Sequence, residues 1–213
     1  MSNLERLLAS FFDPEVALRY LPRIAEGMLV TLGLGLAILR ALRIPFTSWM
    51  IVGFADIFRA LPPLVIIIVL YFAFPYIGLS MNAFTATWLS LSLVLAAFAE
   101  EVFWAGILSV HKGQWDAALS LGLSHWKSLR DVILPQAIRL TVPPLTNRVI
   151  SITKGTALGS VVALHEILNV ASSGASEAGN PTPLTLGAIA YLILFIPFVW
   201  FGRRLEKRFA WKR

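Results

Sequence analysis

The sequence predicts an all-α fold: a polytopic membrane helical bundle of about five transmembrane helices, with one polar loop held on the cytoplasmic side. Two observations carry the prediction. Apolar residues make up 57% of the 213 positions and charged residues only 14%, and the apolar ones gather in long blocks instead of the spaced positions of a soluble helix. Lys and Arg concentrate between those blocks and at the C-terminus, where the positive-inside rule places them. Each crossing of a core about 30 Å thick takes roughly 20 apolar residues, so the chain has room for about four to six spans.

Residues 1–23 mix Phe11, Phe12, Leu18 and Tyr20 with Glu5, Arg6, Asp13, Glu15 and Arg19, an amphipathic pattern that predicts an interfacial segment. Residues 24–202 form the transmembrane domain and 203–213 a basic cytoplasmic tail. The first span covers 27–39 and stops at Arg40 and Arg43, whose side chains reach back to the interface. A second block begins near Trp49, carries Asp56 and Arg59, and is divided by Pro62-Pro63 into a lining piece and a spanning helix over 64–79. The third span covers 83–103, with Glu100 and Glu101 near its end. After a polar segment at 111–139, a fourth span starts at Pro143-Pro144 and runs to Leu168, carrying Arg148 and Lys154. Residues 171–183, rich in Ser, Gly, Asn and Pro, read as a surface loop, and 184–202 as the fifth span. The N-terminus lacks the layout of a cleaved signal peptide, so the first helix is expected to act as its own insertion signal.

The connections at 75–82 and 171–183 contain no Lys or Arg, whereas the one holding Arg40 and Arg43, the central polar segment and the tail are basic. With five spans this puts the N-terminus outside and the C-terminus and central segment in the cytoplasm. Topology therefore accounts for the net charge of +6, and nucleic-acid binding is not expected. Without cysteine the chain has no disulfides, thiolate metal sites or cysteine nucleophiles.

Within the polar segment, residues 114–121 hold helix formers, Gly122 offers a turn, and Ser124 is an N-cap for a second helix ending at Pro135. Trp126, Leu129, Val132 and Ile133 share one face of that helix, and Lys127, Ser128, Arg130 and Asp131 the other. Pattern alone leaves two readings open, a docking knob for a soluble partner and an ordinary interfacial loop.

The spacing Asp116-Ala117-Ala118, three residues, Gly122, nine residues, Val132, one residue, Leu134-Pro135 closely resembles the EAA loop of the permease subunits of ABC importers. There the pattern is Glu-Ala-Ala, three residues, Gly, nine residues, Ile, one residue, Leu-Pro. Residues 105–115 and 133–139, with Phe58-Arg59-Ala60-Leu61-Pro62 and Lys154-Gly155-Thr156-Ala157-Leu158, are similar to the polar amino-acid permeases. Asp116 stands for the usual Glu, His111 for a common Pro, Trp104 for a frequent Arg and Gly155 for an acidic residue.

The resemblance implies a transmembrane permease subunit of an ATP-driven importer for polar amino acids, in a bacterial-type inner (cytoplasmic) membrane. It implies that the loop is a coupling helix seated on an ATPase subunit, through Gln114, Asp116, Ala117, Ala118, Gly122, Leu134 and Pro135. ABC ATPase subunits, a second permease subunit and an extracytoplasmic substrate-binding protein are the implied partners. No Walker-type phosphate loop or hydrolase motif is present in the sequence. The chain is thus expected to be no enzyme and to bind no cofactor, with ATP and Mg held by the partner.

An ionisable residue inside a span costs a few kcal/mol or more and so faces a cavity or a partner. Asp56, Glu101 and Lys154 are expected in the substrate pathway on this ground, with Thr156 beside Lys154, where an inter-helix bond is the competing reading. An ion pair that pins helices competes with that role for Glu101, while Glu100, Arg59 and Arg148 are expected to snorkel. Lys154 and Glu166, placed on one span, lie twelve residues apart. His165 reads as a satisfied or interfacial histidine, and Gly155-Thr-Ala-Leu-Gly159 fits a small-residue packing stripe. The competing class is a secondary carrier or channel, working without an ATPase and coupling protons through Asp56 and Glu101.

Overall fold

The hydrophobic blocks fold into helices, and among the described residues no strand occurs. The computed structural model describes residues 30–42 and 45–209. The interfacial segment expected at 1–23, the start of the first span and the last four residues of the tail lie outside them.

In chain order the helices are α1 (Val30–Ala41), α2 (Pro45–Ala60), α3 (Pro63–Ile68), α4 (Ala83–Ser109), α5 (Lys112–Ser120), α6 (His125–Ser128), α7 (Leu134–Lys154), α8 (Ile167–Ala178) and α9 (Thr182–Phe209). Helix α3 continues through a π turn, Val69–Ala73, and a 3-10 turn, Phe74–Ile77. A second π turn, Leu129–Ile133, joins α6 to α7, and a 3-10 stretch, Gly155–Val162, follows α7.

By length and apolar content, α4 and α9 are each able to cross a membrane, and the broken pair Phe46–Ala60 with Pro63–Ile77 makes a third if it counts as one span. The break falls at Leu61 and Pro62, where the proline pair was expected to divide the block; Pro63 then occupies the first turn of α3, where a missing N–H is harmless.

Three expectations are corrected. The fourth span does not begin at Pro143-Pro144, because both prolines lie inside α7. The carbonyls they release belong to Arg139 and Leu140, both exposed residues. The second helix of the polar segment does not end at Pro135, since α7 begins at Leu134 and carries Pro135 in its first turn. Residues 171–178 are not a loop but most of α8, which Glu166 caps with both carboxylate oxygens, accepting from Leu168 N (2.9 Å) and Asn169 N (2.6 Å). Helix α9 also runs on to Phe209, so residues 203–209 of the basic tail are helical.

The described chain packs as two compact units. The first gathers residues 61–93 and 151–200. In it Ser90 Oγ donates to Pro63 O at 2.9 Å, fixing the start of α3 on α4, and Tyr191 Oη on α9 donates to Glu166 Oε2 at 2.6 Å. Glu166 thus receives three hydrogen bonds, which is how its carboxylate is accommodated.

The second unit gathers residues 30–42, 45–60, 94–150 and 201–209. Its core joins Ala37, Ala41, Ala99, Phe103, Ile107, Leu129, Ile133 and Ala137. Small residues let backbones approach where lipid gives no hydrophobic drive between helices. A Cβ at Gly33 would lie 2.5 Å from Ala99 Cβ and 2.9 Å from Glu100 N, and one at Gly106 would collide with Thr141 Cγ2. Helix α1 is therefore seated on α4, and α4 on α7, at positions where no larger residue fits.

Candidate functional site

The polar loop is built within the second unit by caps at each of its joints. His111 precedes α5 and its Nδ1 accepts from Gly113 N at 3.1 Å. At the other end of α5, Gly122 N reaches Leu119 O at 2.9 Å and Leu123 N reaches Ala118 O at 3.2 Å, a Schellman pair. That motif needs a left-handed residue, and Gly122 supplies it at φ +80°. Ser124 then caps α6, its Oγ accepting from Lys127 N at 3.4 Å. The indole of Trp115 stacks on the ring of His125, 4.7 Å between centroids, and holds the two short helices together. Gln136 Nε2 donates to Gln114 Oε1 at 3.3 Å, tying the start of α5 to α7.

The π turn sets the register. Leu134 N donates to Leu129 O, five residues back, and the inserted residue shifts the face expected for this helix. Leu129 and Ile133 are buried as expected, but Ser128 is fully buried too, and Trp126 is 46% exposed. Of the seven residues expected to dock, Gln114, Asp116, Ala117, Gly122 and Pro135 are exposed. Ala118 and Leu134 are buried and hold the loop's shape instead. Leu121, at the tip beside Gly122, is 83% exposed.

The same unit holds Asp56, Arg59, Glu100, Glu101 and Arg148 of the membrane charges. Glu100 and Glu101 are adjacent on α4 and bond in different directions. Arg40 on α1 donates to Glu100 Oε1 at 3.0 Å, its guanidinium 4.5 Å from the centroid of Trp104. Glu100 is fully buried, so it does not snorkel. Arg59 on α2 donates to Glu101 Oε2 and lies 3.6 Å from Asp56 Oδ1 on its own helix. Glu101 thus takes part in the helix-pinning pair weighed for it. Arg148 places its guanidinium 4.1 Å from the centroid of Phe98, a cation–π contact.

Of the expected pathway residues, Asp56 and Glu101 meet at Arg59, and the other two fall in the first unit. Lys154 ends α7 with an exposed side chain. Thr156 Oγ1 donates to Thr153 O at 2.8 Å and lines a small cavity with Thr87, Trp88, Leu91 and Leu164. Among the described residues no ion pair includes Lys154, whereas Glu101 is paired with Arg59. Lys154 and Glu166 do not share a helix, for the 3-10 stretch and a left-handed Ala163 intervene. Sequence reasoning missed Arg40 and Tyr191 as partners; each lies far along the chain from the carboxylate it serves, and no local spacing marks either.

An all-α chain with long apolar helices, charges paired inside its helical packing and a capped, exposed helix–turn–helix loop has the features of a polytopic membrane protein. Residues 30–211 match the family described as the binding-protein-dependent transport system inner membrane component, and the chain belongs to that family. It is similar to the probable amino-acid ABC transporter permease protein YckA of Bacillus subtilis, 34% identical over 213 residues, 93% of this chain and 94% of the relative. It is similar also to the glutamine transport system permease protein GlnP of Escherichia coli, 32% identical, covering 92% and 97% of the two chains. Among solved structures, an amino acid ABC transporter with histidines matches at a TM-score of 0.75 and 28% identity, over 90% of this chain and 96% of that one. The MetNI methionine ABC transporter matches at 0.70 and 18% identity, over 99% and 98%, which shows the fold alone. The chain is an inner-membrane permease component, as the loop's resemblance implies.

Proposed function

We propose that this chain forms the translocation pathway of an ATP-driven importer for polar amino acids, paired with a second permease subunit and fed by an extracytoplasmic binding protein. The loop at 111–139 docks an ATPase subunit, which binds ATP and Mg and performs the hydrolysis; this chain does neither. The observation that carries the reading is the loop itself: two short helices, capped by His111 and Ser124 and joined through a left-handed Gly122, presenting Gln114, Asp116, Ala117, Leu121 and Pro135 on an exposed surface. Movement of the docked ATPases pushes this loop and switches the pathway between outward and inward access. The substrate class rests on the names of the relatives. Lys154, exposed and without an ion pair among the described residues, is assigned to the substrate's carboxylate, with Thr156 beside it. The test is purification from mild detergent together with uptake of glutamine, arginine and cystine by proteoliposomes. A stoichiometric nucleotide-binding protein and ATP-dependent uptake support the importer, and a lone oligomer that transports without ATP overturns it.

A further inference from the structure

We propose that Arg59 is a two-position latch that exchanges Glu101 for Asp56, letting the end of α2 leave α4 during transport while α1 stays fixed to α4. The inference rests on the importer reading and adds a positioning residue to it.

The two arginine–glutamate pairs on α4 differ in what each would leave behind if it opened. Glu100 is fully buried, and its one ion-pair partner among the described residues is Arg40. Opening that pair strands a carboxylate in a medium that does not tolerate it. The close backbone approach of Gly33 to Ala99 and Glu100 fastens the same two helices. Helices α1 and α4 therefore move as one body.

The pair formed by Arg59 has an exit. Glu101 is 45% exposed, Asp56 66% and Arg59 31%, so all three side chains are partly open to their surroundings. Asp56 sits one turn before Arg59 on the same helix, with its Oδ1 already 3.6 Å from Arg59 Nη1. When α2 withdraws, Asp56 travels with the arginine and takes over its guanidinium, whose several donors suit either carboxylate. No charge is stranded on α2, and Glu101 keeps its exposure. Arg59 also lies one residue from the end of α2, before the break at Leu61 and Pro62 where helical bonding lapses. Such an element-terminal position is where a hinge takes up change. On α4, roughly 12 Å of helix separates Glu101 from Ser109, after which the chain enters the docking loop. A push on that loop is thus delivered close to the latch.

The test uses the assembled complex in proteoliposomes, comparing native protein with Asp56→Asn and Glu101→Gln. Uptake, ATP hydrolysis with and without substrate-loaded binding protein, and melting temperature are read on the same samples. Loss of the closed partner in Glu101→Gln should raise hydrolysis without substrate and increase ATP consumed per substrate about fivefold. Loss of the open partner in Asp56→Asn should lower uptake and stimulated hydrolysis together, about fivefold, with their ratio kept. Shifts of the two variants in the same direction, or an Asp56→Asn protein that transports like the native one, would overturn the latch. So would a lowered melting temperature in Glu101→Gln with unchanged coupling, which marks a plain structural pin. Absence of ATP-driven uptake by the native complex would overturn the importer reading itself.

Discussion

Arg40 and Glu100, 60 residues apart in sequence, form a hydrogen-bonded ion pair of 3.0 Å in which the carboxylate is fully buried. Removing one member of such a pair leaves the other uncompensated, at about 3–5 kcal/mol. Arg40→Met should therefore lower the melting temperature of the purified protein sharply, and Arg40→Met with Glu100→Gln should recover most of the loss. A double variant no more stable than the single one would show that the pair is not what holds α1.

Gly122→Val should weaken docking without affecting insertion. No atom lies within 4 Å of a Cβ built at this glycine, so the effect is conformational: a left-handed L-residue costs roughly 1–2 kcal/mol, and β-branching adds to it. Pull-down of the ATPase and coupled uptake should both fall. An unchanged complex with unchanged uptake would remove the coupling-helix assignment.

Lys154→Met should abolish or reshape uptake while melting temperature and basal ATP hydrolysis stay near native values. The structure sharpens this contrast, because Glu101 is already held by Arg59 and does not depend on Lys154. A large drop in melting temperature would sink the substrate role, and normal uptake would sink any role for this lysine.

Orientation is checked with single cysteines in a chain that has none of its own. Ser173 on α8 and Ser120 on α5 are both exposed, whereas Ser128 is fully buried and would report nothing. Ser173→Cys should react with an impermeant thiol reagent from outside, and Ser120→Cys only after the membrane is opened. The reverse order would invert the topology.

Tyr191→Phe and Glu166→Ala test how α8 is fastened. A hydrogen bond to a charged group contributes about 1.5–3 kcal/mol and a lost N-cap costs about 0.5–2 kcal/mol. Both changes should lower hydrogen-exchange protection at Leu168 and Asn169, with Glu166→Ala the larger. Equal protection in all three proteins would show that packing alone sets the start of α8.

Local chemistry was legible where it decides the backbone by itself. The turn at Gly122, the cap at Ser124 and the break before Pro63 were read from residue type and position, and the structure has all three. The readings failed where tertiary or longer-range bonding overrides local preference. Pro143 and Pro144 suggested a helix start, yet α7 runs through them. The Ser- and Gly-rich run after Leu168 is helical because Glu166 caps it and Ala171 packs inward. The partner of Glu100 could not be read at all, since nothing around Arg40 distinguishes it from a snorkelling arginine. The loop's spacing marks the residues expected to dock, but not that Ala118 and Leu134 face inward, for that is set by packing.

The surplus residue in the turn Leu129–Ile133 has a consequence for how this chain can vary. Deleting one residue there would turn the segment into ordinary α-helix and rotate α6, just before it, by about 100° relative to α7. Single-residue insertions and deletions between Leu129 and Ile133 therefore act as an angular dial on the exposed loop. If the loop docks as proposed, a chain that changes this setting offers its partner the same side chains at a different angle.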